Sequence, residues 1–354
     1  MKKVMIGVSG GVDSAVSSNI LKKQGYEVIG ATMKLFEGNE KTLEDAKKVC
    51  DKLQIPHHIK DLTKEFKESV ITTFVDGYLN GITPNPCTVC NKNIKFGAFY
   101  DFAMLLGCEY VATGHYARIQ FSEKYNQLVI KKPANEKKDQ TYFLYGIKKN
   151  QIPHIIFPLS EIESKDKVRE MAKEIGISVA EKKDSQEICF IPNKNYKSFI
   201  LNENTAKVHI DQIRIGDFCL ETGEVIGKHK GLMHYTVGQR KGLGISYKVP
   251  LFVIKLDAKN NKIILGEEKE LYSNSLLAKD LNWQVDLDVV EKDKIFAKIR
   301  YAAKESLVDL EFINDKVKVI FKNPQRAVTK GQAVVFYDED GIILGGGTIE
   351  EAIN

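Results

Sequence analysis

A chain of 354 residues is too long for one ordinary domain, so two or three are expected. Its 43% hydrophobic residues suffice for buried cores, and no apolar run approaches the ~20 residues of a membrane span, which excludes an integral helical membrane protein. The net charge of +5 permits an acidic partner without demanding one, and six cysteines with no secretion signal read as reduced thiols of a cytoplasmic protein.

Lys2-Lys3 before Val4 to Val8 has the outline of a signal peptide, but the apolar part is too short. Val4 to Val8 instead has strand character. Val12, Ala15, Val16, Ile20 and Leu21 then recur at helical spacing, with Gly25 as the stop. Ser9-Gly10-Gly11-Val12-Asp13-Ser14 therefore spans a strand-to-helix turn. Two glycines admit tight backbone angles and bare N–H groups, and the helix start adds unpaired N–H groups and a positive dipole end. With the hydroxyls of Ser9 and Ser14, this is a cradle for an oxygen-rich anion of the pyrophosphate kind. Asp13 either holds a metal ion bridging the phosphates or caps the helix. No Gly-Lys-[Ser/Thr] follows, and the spacing is not Gly-x-Gly-x-x-Gly, so neither common phosphate loop applies.

Further strands are expected over 27–33, 57–62 and 110–113, alternating with helices over 42–53, 64–79 and 91–106. That rhythm predicts an α/β doubly wound parallel sheet whose ligands bind at the C-terminal strand ends. Ser9, Met33 and Gly114 fall there, Met33 either closing over an adenine or serving the core. Thr83-Pro84-Asn85-Pro86-Cys87-Thr88-Val89-Cys90-Asn91 interrupts the rhythm. Its prolines predict an extended loop, and Cys90 at the following helix start predicts a lowered thiol pKa. Cys87 and Cys90 are reactive or ligating thiols, chance neighbours, or half of a zinc site, although no second Cys-x-x-Cys completes one. His115 touches phosphate or base, or is structural.

A small hairpin is expected over 117–131. Lys137-Lys138-Asp139-Gln140 beside Thr141 to Leu144 suits an RNA backbone, or is a solvated charge run. An amphipathic helix over 164–175 ends at Gly176. Cys189 follows the polar run Lys182 to Glu187. From about Val208 short strands and glycine turns replace helices, among them Gly238-Gln239-Arg240-Lys241-Gly242-Leu243-Gly244, whose Arg240 and Lys241 grip phosphate or form an exposed basic loop. From Ser273 short strands predict a small closed barrel. The expected domains are 1–205, 206–272 and 273–354. Cys50, Cys108 and Cys219 fall in regular elements and are expected in the core.

Together these motifs resemble, end to end, the tRNA-specific 2-thiouridylases, the MnmA family of PP-loop ATP pyrophosphatases. The carriers are Gly7 to Ser14, Thr83 to Pro86 with Cys90-Asn91, Ala112 to Tyr116, Lys138 to Gln140, Asp184-Ser185 with Ile188 to Ile191, Gly238 to Gly244, Thr329 to Gln332 and Gly345 to Gly347. The resemblance implies ATP-dependent adenylation of the 2-oxygen of the wobble uridine and its replacement by sulfur, with release of AMP and pyrophosphate and with Mg2+ as the ion. It implies ATP contacts at Gly7, Val8, Ser9, Gly10, Gly11, Val12, Asp13, Ser14, Met33 and Gly114. Asn85, Pro86 and Cys87 are implied to meet the target base. His115, Lys138, Asp139, Gln140, Arg300, Tyr301 and Gln332 are implied to contact tRNA. Cys90 takes the nucleophile position and Cys189 the persulfide carrier, a Cys90–Cys189 disulfide closing the cycle. The implied partners are tRNA and a sulfur donor, whether a cysteine desulfurase, a relay protein or free sulfide, and a monomer is expected.

Two departures stand out. The loop after Met33 is shorter than in better-known members, and position 87 is Cys where many carry Asp. Cys87, Cys90 and Cys189 are thereby a candidate three-thiolate set for a 4Fe–4S cluster with one open iron, the rival of the persulfide route. Two other readings remain: a PP-loop enzyme acting on a small molecule, and a non-catalytic RNA-binding relative.

Overall fold

In the computed structural model, residues 1–176, 188–191, 195–203 and 214–353 are described. The Asp184-Ser185 motif and the expected boundary near residue 205 lie outside them. Val4, Met5 and Ile6 are fully buried, as an unbroken apolar run must be when both faces of a parallel strand are covered. They form β1 (Lys3–Gly7), followed by helix α1 (Val12–Lys23), β2 (Glu27–Lys34), α2 (Glu40–Leu53) and β3 (His57–Asp61). Helix α3 runs over 63–79 and α4 over 86–105, and β4 (Tyr110–Ala112) follows. After the hairpin β5 (Arg118–Ser122) and β6 (Gln127–Lys131), β7 (Ile155–Ile156) completes a parallel sheet in the order β3-β2-β1-β4-β7.

The strand order reverses at β1, with β2 on one side and β4 on the other. The crevice beyond their C-terminal ends is where such sheets bind ligands. Ser9 follows β1 and Gly114 follows β4, so the expected phosphate turn lies at this switch point.

The loop expected to be extended through Pro86 is instead the start of α4. Asn85 Oδ1 accepts from Cys87 N at 3.1 Å and Thr88 N at 3.4 Å, and Pro86 takes the first helical position. Proline is at home there, because its missing N–H would find no intrahelical partner. The helix then winds wide over Asn91–Ala98, with Gly97 departing from helical angles.

Lys165–Glu174 is α5, capped by Ser164, and Tyr196–Asn202 is α6. Phe190 is the anchor of the second cysteine stretch. It is buried edge-on between Phe66, at 5.5 Å, and Phe74, at 5.4 Å, both on α3. An aromatic in that slot fixes the position of the neighbouring Cys189.

Beyond the sheet, β8 (Gly216–Leu220), β9 (Val225–His229), β10 (Phe252–Asp257) and β11 (Lys262–Gly266) form a second sheet, β10-β11-β8-β9. Strands β12 (Tyr272–Trp283), β13 (Ile295–Lys298), β14 (Ser306–Ile313), β15 (Lys316–Arg326), β16 (Ala333–Tyr337) and β17 (Ile343–Ile353) close the expected barrel. Its Gly345-Gly346-Gly347 run is a docking surface: a Cβ on Gly346 would stand 2.7 Å from the Tyr145 ring. Asn282 and Gln284 then donate to the carbonyls of Tyr145 and Ile147, fastening barrel to N-terminal sheet. Among the described residues no helix is long and apolar enough to cross a membrane.

Candidate active site

The turn after β1 is built for close approach. Gly10 has φ +66°, and a Cβ there would stand 2.5 Å from Asp45 Cβ. Ser9 N donates to Ser14 Oγ at 3.2 Å, and Ser14 Oγ donates to Gly11 O at 3.0 Å, so the loop is folded around its own serines. A Cβ on Gly114 would meet Ser14 N at 3.1 Å. Only glycine lets the β4 loop come so near the start of α1. A cradle this bare, at a helix N-terminus, fits a pyrophosphate. Met33 borders it, 3.6 Å from where a Gly7 Cβ would stand, and also packs on the core.

Asp13 is neither a helix cap nor alone. Lys165 Nζ donates to both its oxygens, at 2.6 and 2.8 Å, and Tyr116 Oη donates to Oδ1 at 2.9 Å. Lys165 is 152 residues away, at the start of α5, with an 11% exposed side chain. In the sequence that helix is marked only by its amphipathic spacing. Its one signal was a lysine directly after a Ser cap. Gln140 joins the same network: its Oε1 accepts from Tyr116 N at 3.0 Å.

The three cysteines of interest come together, and all six in the chain are free thiols. Cys90 is buried, Cys87 and Cys189 are exposed, and each lies within the electrostatic field of Lys95. Burial pushes the Cys90 thiol up to about 12, against the opposing charge of Lys95. This reverses the expected lowering. Cys90 is the fifth residue of α4, past the first turn where the helix dipole acts, and it is desolvated. Although solvent reaches both residues, desolvation by the atoms packed around their sulfurs also raises the thiols of Cys87 and Cys189. Among the described residues no three His, Cys, Asp or Glu side chains converge closely enough to hold a metal ion. Cys87, Cys90 and Cys189 are thus neighbours without being a ligand set in this arrangement.

The raised thiol has a direct consequence. Far below its pKa the thiolate fraction climbs with pH, so native-state alkylation of Cys90 by iodoacetamide should rise about tenfold per pH unit between pH 7 and 9. Peptide mapping by mass spectrometry reads this. A plateau below pH 8 would mean that Lys95 outweighs burial.

Lys95 was not singled out in the sequence. Its Nζ lies 3.4 Å from His115 Nε2, and His115 Nδ1 lies 2.7 Å from Thr113 Oγ1. Since an ammonium only donates, we assign Nε2 as acceptor and Nδ1–H as donor to Thr113. Burial first, and Lys95 second, push the imidazole well below its usual range, so His115 is neutral. It is only 8% exposed.

The loop implied to meet the target base is held from the barrel. Gln332 Nε2 donates to Thr83 O at 2.8 Å, Thr83 N donates to Lys330 O at 3.1 Å, and nearby the Tyr142 hydroxyl donates to Ala333 O at 3.0 Å. Asn91 Nδ2 donates to Cys87 O at 2.9 Å, while its buried Oδ1 has no partner among the described residues. Asp139 is buried and takes Thr141 N and Oγ1 on one oxygen, so its visible task is to fold the turn after Lys138. Tyr301 is exposed, its ring 4.7 Å from Phe143, and Arg300 donates to Arg326 O at 3.2 Å. Cys50, Cys108 and Cys219 are buried in the core, as expected.

Three family descriptions match the chain in sequence order. They are a tRNA methyl transferase HUP domain over residues 2–193, a tRNA methyl transferase PRC-barrel domain over 207–267, and an aminomethyltransferase beta-barrel domain over 273–349. The tRNA-specific 2-thiouridylase MnmA of Clostridioides difficile is 46% identical over 365 residues, covering 99% of both chains. MnmA 1 of Clostridium tetani is 48% identical over 359 residues, covering 99% of this chain and 97% of its own. The Acetivibrio thermocellus protein of that name is 47% identical over 364 residues, again with 99% of each covered. A phosphate turn at the sheet's switch point, two cysteine stretches brought near each other, and full-length likeness at this level agree: the chain belongs to the tRNA-specific 2-thiouridylase MnmA family.

Proposed function

We propose that this chain replaces the 2-oxygen of the wobble uridine of tRNA by sulfur, in two stages within one crevice. Oxide cannot leave a uracil carbonyl. Uridine O2 therefore attacks the α-phosphorus of ATP and pyrophosphate departs, so the oxygen becomes part of an adenylate leaving group. The N–H groups of Gly10, Gly11 and the α1 start receive the pyrophosphate, and Lys165 turns from Asp13 to the phosphates. Asp13 is the residue to hold magnesium, which offsets phosphate charge when bound.

The observation that carries the sulfur stage is an exposed thiol beside a buried one: Cys189 open to a donor, Cys90 closed off and near Lys95. A cysteine desulfurase or relay protein delivers a persulfide sulfur to Cys189. The terminal sulfur attacks C2 of the base, and AMP leaves with the former O2. Cys90 then attacks Cys189 Sγ, the S–S bond breaks, sulfur stays on the base, and a Cys90–Cys189 disulfide forms. An external dithiol reduces it. The chain acts as a cytoplasmic monomer. Methyl transfer, the word in two family descriptions, needs neither a pyrophosphate cradle nor a thiol pair. A PP-loop ligase for small molecules would not need the barrel to hold the Asn85 loop, and its pyrophosphate release would be indifferent to tRNA.

The three thiols are neighbours without forming a ligand set, and the relay needs no 4Fe–4S cluster. The test is anaerobic purification with iron and sulfide reconstitution, followed by iron, acid-labile sulfide and tRNA thiolation assays beside Cys87→Ala. The relay predicts iron-free protein that thiolates tRNA from a persulfide donor, with Cys87→Ala within about twofold of the parent. About four irons per chain, with sulfide-fed activity lost in Cys87→Ala, would replace the relay by a cluster. Absence of thiolation under either condition would remove the thiouridylase reading.

A further inference from the structure

The glycine-rich run Gly238 to Gly244 plays no part in the chemistry above, yet its backbone is closely specified. Thr236 N donates to Gln239 Oε1 at 3.1 Å, Gly238 N to Val253 O at 2.8 Å, and Val253 N to Gln239 O at 2.9 Å. Gly238 has φ +87°, and a Cβ there would stand 3.1 Å from Ala327 Cβ. Ala327 itself has φ +55°, a left-handed conformation that a residue with a Cβ adopts only when its surroundings hold it. Here Ala327 N donates to Leu271 O at 2.8 Å, and Arg300 donates to Arg326 O from the other side at 3.2 Å.

The product of this bracing is a pair of guanidiniums on one ring. Arg240, from the glycine loop, lies 5.9 Å from the centroid of Phe252, and Arg326, from the end of β15, lies 5.5 Å from it. Two like charges thus share one ring, at a separation no larger than the order of one Debye length (~10 Å). Glu268 approaches Arg326 at 3.4 Å and is largely exposed. Arg240 has no carboxylate partner among the described residues. Glu268 answers Arg326 alone, which leaves the positive charge of Arg240 open to an anion from outside.

Resting on the tRNA reading above, we propose that Arg240 and Arg326 form a clamp for the sugar–phosphate backbone of the bound tRNA, at the seam between the second sheet and the barrel. Planar guanidiniums match phosphate oxygens in pairs. The Phe252 ring is 7% exposed, so it cannot stack a base, and the contact is with the backbone and independent of sequence. Through Arg300 the clamp is continuous with the expected tRNA surface at Tyr301.

The test is binding of unmodified tRNA transcript to the full chain across 50–200 mM KCl. Arg240→Gln with Arg326→Gln should bind about tenfold more weakly near 0.1 M salt, with a log–log salt slope shallower by about 1 to 2, equally for substrate and non-substrate tRNAs. Glu268→Gln should act oppositely, binding about twofold tighter at low salt. If the double variant melts early, Arg240→Gln alone, on an exposed residue, and Glu268→Gln carry the test. Wild-type affinity and slope in these variants would overturn the clamp. Failure of the parent protein to bind tRNA would instead overturn the tRNA reading.

Discussion

Cys90→Ser and Cys189→Ser should each lose at least about 10^4-fold in tRNA thiolation, because a hydroxyl neither carries a persulfide nor forms a disulfide. The two variants should differ in what they retain. Cys189→Ser should accept no sulfur from the donor, so radiolabelled sulfur stays off the protein. Cys90→Ser should load Cys189 and then stall, with the sulfur label held on the enzyme. Both should still release pyrophosphate once per bound tRNA and bind tRNA within about twofold of the parent, since neither substitution alters a residue of the phosphate turn. Mass spectrometry of the labelled peptides reads the difference. Equal labelling of the two variants would break the assigned order of the relay, and a large loss of tRNA binding would assign these loops to structure.

The second large effect lies at the phosphate turn. Asp13→Asn and Lys165→Met should each lower tRNA-dependent pyrophosphate release by about 10^2–10^3-fold, the range for removing one preorganised charge from a transition state. Their stabilities should not move alike. Asp13→Asn leaves the 11% exposed Lys165 without its carboxylate and should destabilise the chain. The double variant should recover much of that loss and none of the activity. Tyr116→Phe, which removes only the 2.9 Å hydrogen bond to Asp13, should cost far less activity than either. Pyrophosphate release within threefold of the parent in Asp13→Asn would refute its place in ATP binding.

Much of this was legible along the chain. The strand, glycine pair and helix start around Ser9 announce themselves locally, because a phosphate turn is a matter of consecutive backbone angles. Strand and helix periods revealed the parallel sheet, and alternation with glycine turns revealed the β half, since those periods record which face of each element is covered. Even the two cysteine stretches stood out, although nothing local says that they meet.

The sequence by itself therefore determined the fold class, the anion turn, the candidate thiols and the family. Only the tertiary structure decided what those groups experience. Pro86 begins a helix rather than a loop because Asn85 caps it, and that moves Cys90 past the reach of the dipole and into the core. Lys165 and Lys95 are two among 52 basic residues, the first marked locally only by the Ser cap before it and the second not at all, and each acquires meaning from what faces it across the fold, Asp13 in one case and three thiols with His115 in the other. Arg240 and Arg326 share one ring because two domains pack there. Hydrogen-bonding periods are local properties of a chain; desolvation and charge pairing depend on atoms that arrive from distant segments, and these set the chemistry of the site.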